Sequence, residues 1–241
     1  MGQRMNSPAG IPSLADARKY LVNRPGEYEG IRQSLYDFQI YPTAGNTRLQ
    51  FFQLPQGQGL SSAQGNANNA KTLADTNMES AGSLPAPKQF LLKSIEVVFY
   101  PGSVSTANTF TPVGPQSFTV AAAATIQNGV HDQTVFRQNG VLRLFIGSKD
   151  YLIEAPLIRF PTKVNLEGDF AVASNSATVG EVLVADLNAK GRPYNVEPPV
   201  FLISTQNFSV NIEFPVAVAT PSGFNGRVGV ILDGYLYRNS Q

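Results

Sequence analysis

Nucleophiles, general bases and metal ligands are few in this chain, and their spacing offers little to any reaction. One histidine, His131, stands beside Asp132 in the turn-like run Asn128-Gly129-Val130-His131-Asp132. A Ser-His-acid set would have to use it, and no Gly-x-Ser-x-Gly elbow supplies the serine. His131 therefore reads as a surface or loop-packing residue. The chain has no cysteine, which excludes disulfides, thiolate metal sites and cysteine nucleophiles. What is left to a metal is an oxygen-ligand Ca²⁺ or Mg²⁺ site. Asn165-Leu166-Glu167-Gly168-Asp169 places three oxygen side chains at alternate positions, but without the ligand density of a dedicated loop. A turn between strands is the preferred reading there, and a calcium site near Glu167 and Asp169 is the alternative.

Other motifs carry less. Gly57-Gln58-Gly59 with Gly65 lacks the Lys-Ser/Thr and the following helix of a phosphate loop. Asn207-Phe208-Ser209 matches a glycosylation acceptor but falls inside a predicted strand. Paired carboxylates for glycoside hydrolysis need not be neighbours in sequence, although the lack of tryptophan weakens a sugar cleft. Tyr36, Phe38, Tyr41, Phe51 and Phe52 are interleaved with few bases, so they read as core and sheet face, not as a nucleic-acid platform. The expectation is a protein that is not an enzyme, with no catalytic, cofactor-binding or metal residues and no cofactor.

The elements that would position any site are strands. From Phe208 to Val218 every even position is apolar, the period of a half-buried strand. A turn cluster, Thr220 to Gly226, separates it from a second β-rich run, Arg227 to Arg238, and the pair predicts a long antiparallel hairpin. Further strands are expected at Ser34–Tyr41, Thr47–Leu54 and Gln89–Tyr100, the last apolar on both faces and so central. Asn108–Thr111, Ser117–Thr125 and Thr134–Gln138 follow, then a hairpin of Val141–Ile146 with Tyr151–Ile158. Val164–Ala173 and Gly180–Ala185 are weaker candidates, and Lys190–Pro199 reads as a Pro/Gly loop. Eleven to thirteen strands with Gly/Pro turns and no repeat argue for an all-β sandwich or barrel.

Two segments stand apart. Residues 1–32 read as an N-terminal arm, with a short helix started by Ser13-Leu14-Ala15-Asp16 and continued by Ala17 and Leu21. Its mild basic excess suits either an arm touching a neighbouring subunit, a genome or a lipid surface, or a solvated helix plugging the domain. Residues 55–88 form a loop rich in Gly, Gln, Asn, Ala and Ser, far longer than the usual connection of about 2–6 residues. Its apolar residues, Leu60, Leu73, Met78 and Leu84, are too few for a core of its own. Such a loop is functional, disordered or in contact with a partner.

Composition agrees with assembly. Charged residues are 15% of the 241, against about 25% in average soluble domains, and the net charge is +1. No global field draws nucleic acid or an acidic membrane. An amide-rich, weakly charged surface protects poorly against self-association and reads as one meant to meet its own copies. Met1 to Gly10 has no apolar core for a signal peptide, and no window nears the roughly 18 apolar residues of a membrane span.

This layout resembles the jelly-roll major capsid proteins of tailless icosahedral bacteriophages. The resemblance rests on the helical arm, the Gly140–Pro156 hairpin and the closing run Val230-Ile231-Leu232-Asp233-Gly234-Tyr235-Leu236-Tyr237-Arg238. It covers roughly residues 30 to 240 and involves no diagnostic motif, since jelly rolls are shared with lectins and cupins. It implies an all-β jelly-roll sandwich over residues 33–241 and self-assembly of identical copies into capsomers, trimers first among them, with other capsid proteins. It also implies a virion location after assembly in the host cytoplasm, with the arm facing a genome or internal membrane. A single elaborated roll, with strands near 47–54, 89–100, 117–124, 134–146, 150–158, 164–173, 200–218 and 227–238, is preferred. A compact double jelly roll split near residue 130 is the alternative. The competing function is a receptor- or carbohydrate-binding β-sandwich module, such as a fibre or spike head.

Overall fold

A computed structural model describes residues 28–63, 66, 69–101, 131–163, 169–173, 182–186, 191–221 and 223–239. Two antiparallel sheets face each other across one apolar core. In sheet A, β1 (Tyr28–Arg32) and β2 (Leu35–Tyr41) pair end to end along one side of β11 (Gly226–Asn239). On the other side of β11 lies β4 (Gln89–Tyr100), followed by β9 (Tyr194–Leu202) at the edge. Sheet B has the order β3 (Arg48–Phe51), β10 (Phe208–Glu213), β5 (Val141–Ile146), β6 (Lys149–Glu154). A separate hairpin joins β7 (Asp169–Ala173) to β8 (Val182–Asp186). The all-β sandwich expected from the strand spacing is the architecture found.

Alternation explains which side chains meet. In sheet B, Leu49, Phe51, Val210, Ile212, Leu142, Leu144 and Ile146 point inward and are buried. In sheet A, Val228, Val230 and Leu232 meet them from β11. Ten of the twelve residues of β4 are buried and one more is half-buried, as a strand apolar on both faces should be.

Four expectations are corrected. The predicted terminal hairpin does not form, because β10 and β11 lie in different sheets. The apolar alternation runs on to Val218, but pairing stops at Glu213: Phe214 turns into the core and Pro215 has no N–H to give a ladder. The chain then crosses the end of the sandwich over residues 214–221 and 223–225, where Thr220 N–H donates to the Thr43 carbonyl at 2.9 Å. Gly45 sits beneath this crossing at φ +75°, and a Cβ there would lie 2.3 Å from the Val218 carbonyl oxygen.

Thr134–Gln138, read as strand, belongs to helix α1, residues 131–139. Its β-branched composition is overridden by Phe136, which stacks on Phe99 at 4.4 Å and packs edge-on to Tyr41. Gln133 and Arg137 donate to the Phe99 and Val97 carbonyls on the part of β4 that β9 leaves unpaired.

Lys190–Pro199, read as a loop, contributes six of the nine residues of β9. Prolines are tolerated there because β9 is an edge strand, and its register to β4 shifts between Leu92 and Ser94. Leu157–Arg159, at the end of the predicted return strand, is a 3₁₀ turn. The arm's helix at 13–21 and the strands at 108–111 and 117–125 lie outside the described residues, as does Gly180.

Candidate functional site: a strap latched over the sandwich edge

The long segment 55–88 closes the open side of the sandwich. Along β2 it behaves as a short extra strand. Asp37 and Thr76 form an antiparallel bridge, and Phe38 N–H donates to the Asp75 carbonyl at 2.8 Å. The Asn77 side chain donates to the Ser34 carbonyl at 2.8 Å and accepts from Tyr36 N–H at 3.0 Å. The segment then reaches sheet B, where Gly82 N–H donates to the Phe52 carbonyl and Phe208 N–H to that of Gly82. Met78 and Leu84 enter the main core, 1% and 4% exposed. An unpaired edge is a template for stray pairing. Here the strap covers it.

Its outer lobe is fixed by polar contacts of the described residues. β2 presents Asp37 toward β3 where the pattern leads one to expect an apolar residue, and Asp37 Oδ2 accepts from Phe52 N–H at 2.7 Å. Asp37 Oδ1 takes the Lys71 ammonium at 2.6 Å, with side chains 1% and 2% exposed. Asp75 is fully buried. It accepts from Ser61 Oγ at 2.7 Å, Ser62 N–H at 2.8 Å, Ser62 Oγ at 2.9 Å and Thr72 N–H at 3.1 Å. Arg227 reaches over from β11, 4.0 Å from Asp75 and 4.2 Å above the Phe38 ring. Two acids and two bases leave the cluster neutral. Leu60 and Leu73, 56% and 63% exposed, point away from it.

The two carboxylates differ in proton affinity. Burial pushes Asp37 above its ordinary range, against the charge and hydrogen bond of Lys71 and the Phe52 N–H. Burial acts on Asp75 in the same sense but is outweighed by its donors from Ser61, Thr72 and Ser62, so Asp75 lies below the usual range. A cluster so closed can hold a chain segment in place. It offers no access for a substrate.

Other residues singled out by sequence stay apart. His131 is exposed on α1, while Asp132 is buried and helps push the Tyr41 hydroxyl, already raised by burial, to about 12. Asn165 to Gly168 lie outside the described residues, and Asp169 opens β7. Among the described residues no group of three or more His, Cys, Asp or Glu side chains could hold a metal ion. Gly57 and Gly59 form turns at φ +79° and +67°, and Gly57 N–H donates to the Lys71 carbonyl.

A second feature lies on the outer face of sheet B. Charges alternate across its four strands: Arg48 to Glu213 at 3.7 Å, Glu213 to Arg143 at 3.2 Å, Arg143 to Asp150 at 2.8 Å. Beside this row is an open groove of about 350 Å³ lined by Val141, Arg143, Ile153, Glu213, Phe214 and Pro215. Beneath it Asn211 is 0% exposed, yet its Oδ1 and Nδ2 have no partner, and neither has Arg143 Nε. Asn211 reads in sequence as an ordinary outward polar residue of an alternating strand. Only the register, which sets it opposite Arg143 and Gln50, brings it under other side chains.

Comparison with family models, with curated proteins and with solved structures found no match to this chain. Among the described residues no helix is long and apolar enough to cross a membrane.

Proposed function

We propose that this chain is a coat subunit, a single jelly roll whose work is to pack against identical copies in a virion shell, with no covalent chemistry. Strand order carries the reading. One sheet runs β2-β11-β4-β9 and the other β3-β10-β5-β6, with β1 extending β2. The chain changes sheet at nearly every step, and eight strands wound this way support the jelly-roll reading. That count favours one roll over two, with β7–β8 as an appended hairpin.

The managed edges support assembly through faces and loops, not through strand addition. β2 is covered by the strap, β9 carries Pro198 and Pro199, and β6 is bulged and bears Lys149, Asp150 and Glu154. The exposed Leu60 and Leu73 of the strap are contact points for a neighbouring subunit. A jelly roll alone does not decide function. The carbohydrate-binding alternative is weakened at the groove, whose one aromatic, Phe214, is 5% exposed and gives no ring for a sugar to stack on. Light scattering of the whole chain over a concentration series tests the proposal. Oligomers or particles are expected, and a monomer throughout would refute it.

A further inference from the structure

We infer that the outer face of sheet B is a twofold contact between two copies of this chain, with Val141 at the axis. This rests on the coat reading and names the surface by which neighbouring subunits would meet.

The argument starts from register. Glu213 stands opposite both Arg48 and Val141, Asn211 opposite Arg143, Arg143 opposite Ile153, and Phe145 opposite Asp150. With strands about 4.8 Å apart and residues about 3.4 Å apart along them, the row Arg48, Glu213, Arg143, Asp150 runs at about 45° to the strands. Its signs alternate: plus, minus, plus, minus. A twofold axis lying in the contact plane, crossing the row at right angles between Glu213 and Arg143, reverses that order in the second copy. Glu213 then faces Arg143 of the second copy, and Arg48 falls within about 5 Å of its Asp150, inside the reach of an arginine side chain, so opposite charges meet along the row. The two sheets would cross at about 90°, one of the two angles at which sheets pack face to face.

The apolar residues obey the same axis. On that lattice Val141 falls about 1 Å from it and meets its own copy. Ile153, 59% exposed, lies on one side of the axis, and the exposed Pro215 lies about as far on the other. The rotation sets Ile153 of each copy onto Pro215 of the other, filling the groove reciprocally. The unpartnered Asn211 amide lies almost on the axis too, beneath Arg143. A buried polar group left unsatisfied is unfavourable, and drawing Arg143 toward a second copy's Glu213 would open that amide to a partner. The sheet face offers about 400 Å² per copy, half of a standard interface, so the contact is weak in isolation and gains strength through repetition in a shell.

The chain has no cysteine, so single cysteines can be placed cleanly. Val141→Cys and Ile153→Cys would each be treated, in the full-length chain under conditions where scattering shows it assembled, with a thiol-specific bis-maleimide spanning about 10 Å, the spacing of face-packed sheets. Val141→Cys is expected to give a covalent dimer. Ile153→Cys, about 18 Å from its own copy on the same lattice, is expected to give little. Separately, Ile153→Asp should weaken self-association about tenfold or more while leaving the melting temperature unchanged, since the side chain is exposed in the single subunit. Assembled material in which Val141→Cys links no better than Ile153→Cys, or in which Ile153→Asp associates as the parent does, would overturn the contact and leave the coat reading standing. A parent chain that is monomeric at every concentration would overturn both.

Discussion

Replacing Lys71 by methionine is the sharpest test of how the strap is held. The substitution keeps most of the buried stem but removes the ammonium 2.6 Å from Asp37 Oδ1, leaving a carboxylate 1% exposed without its counter-charge. Breaking a buried pair on one side destabilises by about 3–5 kcal/mol, whereas replacing both partners is close to neutral. For a domain of this size each kcal/mol corresponds to about 2–4 °C, so Lys71→Met should lower the melting temperature by about 6–20 °C. Adding Asp37→Asn removes the orphaned charge and keeps an oxygen for the Phe52 N–H, so the double variant should recover most of the loss.

The pH dependence has a definite sign. With Lys71 gone, burial is left to raise Asp37, and a carboxyl whose folded pKa exceeds its unfolded one adds stability at low pH that is lost as pH rises. Lys71→Met should therefore be most destabilised at neutral pH and partly rescued near pH 5. Urea unfolding of the four-member cycle at both pH values, with limited proteolysis of the strap, measures this. A loss below about 1 kcal/mol for Lys71→Met, the size of an exposed pair, or strict additivity of the two substitutions, would refute the reasoning.

Further outcomes follow from other contacts. Asp75 and Asp233 are both held below their ordinary values, Asp233 against the effect of burial by Lys163 and Arg32. Their contribution is present above pH 3.8 and is lost as pH falls below it. Asp37 and Glu96 are shifted upward by burial and oppose any loss on milder acidification. Thermal melts should thus be flat or slightly rising from pH 7 to about pH 5 and fall below about pH 4, with a shallower fall in Asp75→Asn. Phe136→Ala removes the ring that clamps α1 to Phe99, Tyr41 and Phe214 and should cost about 3–5 kcal/mol by chemical denaturation. Gly229→Ala puts a Cβ 2.2 Å from the Phe38 ring, which already lies under Arg227, and should destabilise by about 1–3 kcal/mol in the same assay.

What the sequence made legible was local. β4 was readable to the residue because its two-sided apolar run has no other home than a covered central strand. The β5–β6 hairpin was readable because Gly147 marks its turn, at φ +60°. Partnership was not legible. Phe208 to Val218 and Arg227 to Arg238 look like a hairpin because period two says which face is buried but not which strand lies alongside. The helical Thr134–Gln138 was misread from its β-branched residues, although Arg137-Gln138-Asn139-Gly140 has the polar, glycine-terminated form of a helix end. In β2 the aromatics Tyr36 and Phe38 take the outer face, while Asp37 and Gln39 turn toward β3 and hydrogen-bond to its edge and the residue beyond. The strap's length was visible and its latch was not, since Asp37 and Lys71 are 34 positions apart and each alone resembles a solvated charge.

Electron microscopy of the purified full-length chain, concentrated under assembly conditions, is the most direct measurement of the role proposed for it. Closed shells, or discrete capsomers of fixed stoichiometry, are the predicted result. Fields of single 26.0 kDa particles at every concentration and ionic strength would contradict it.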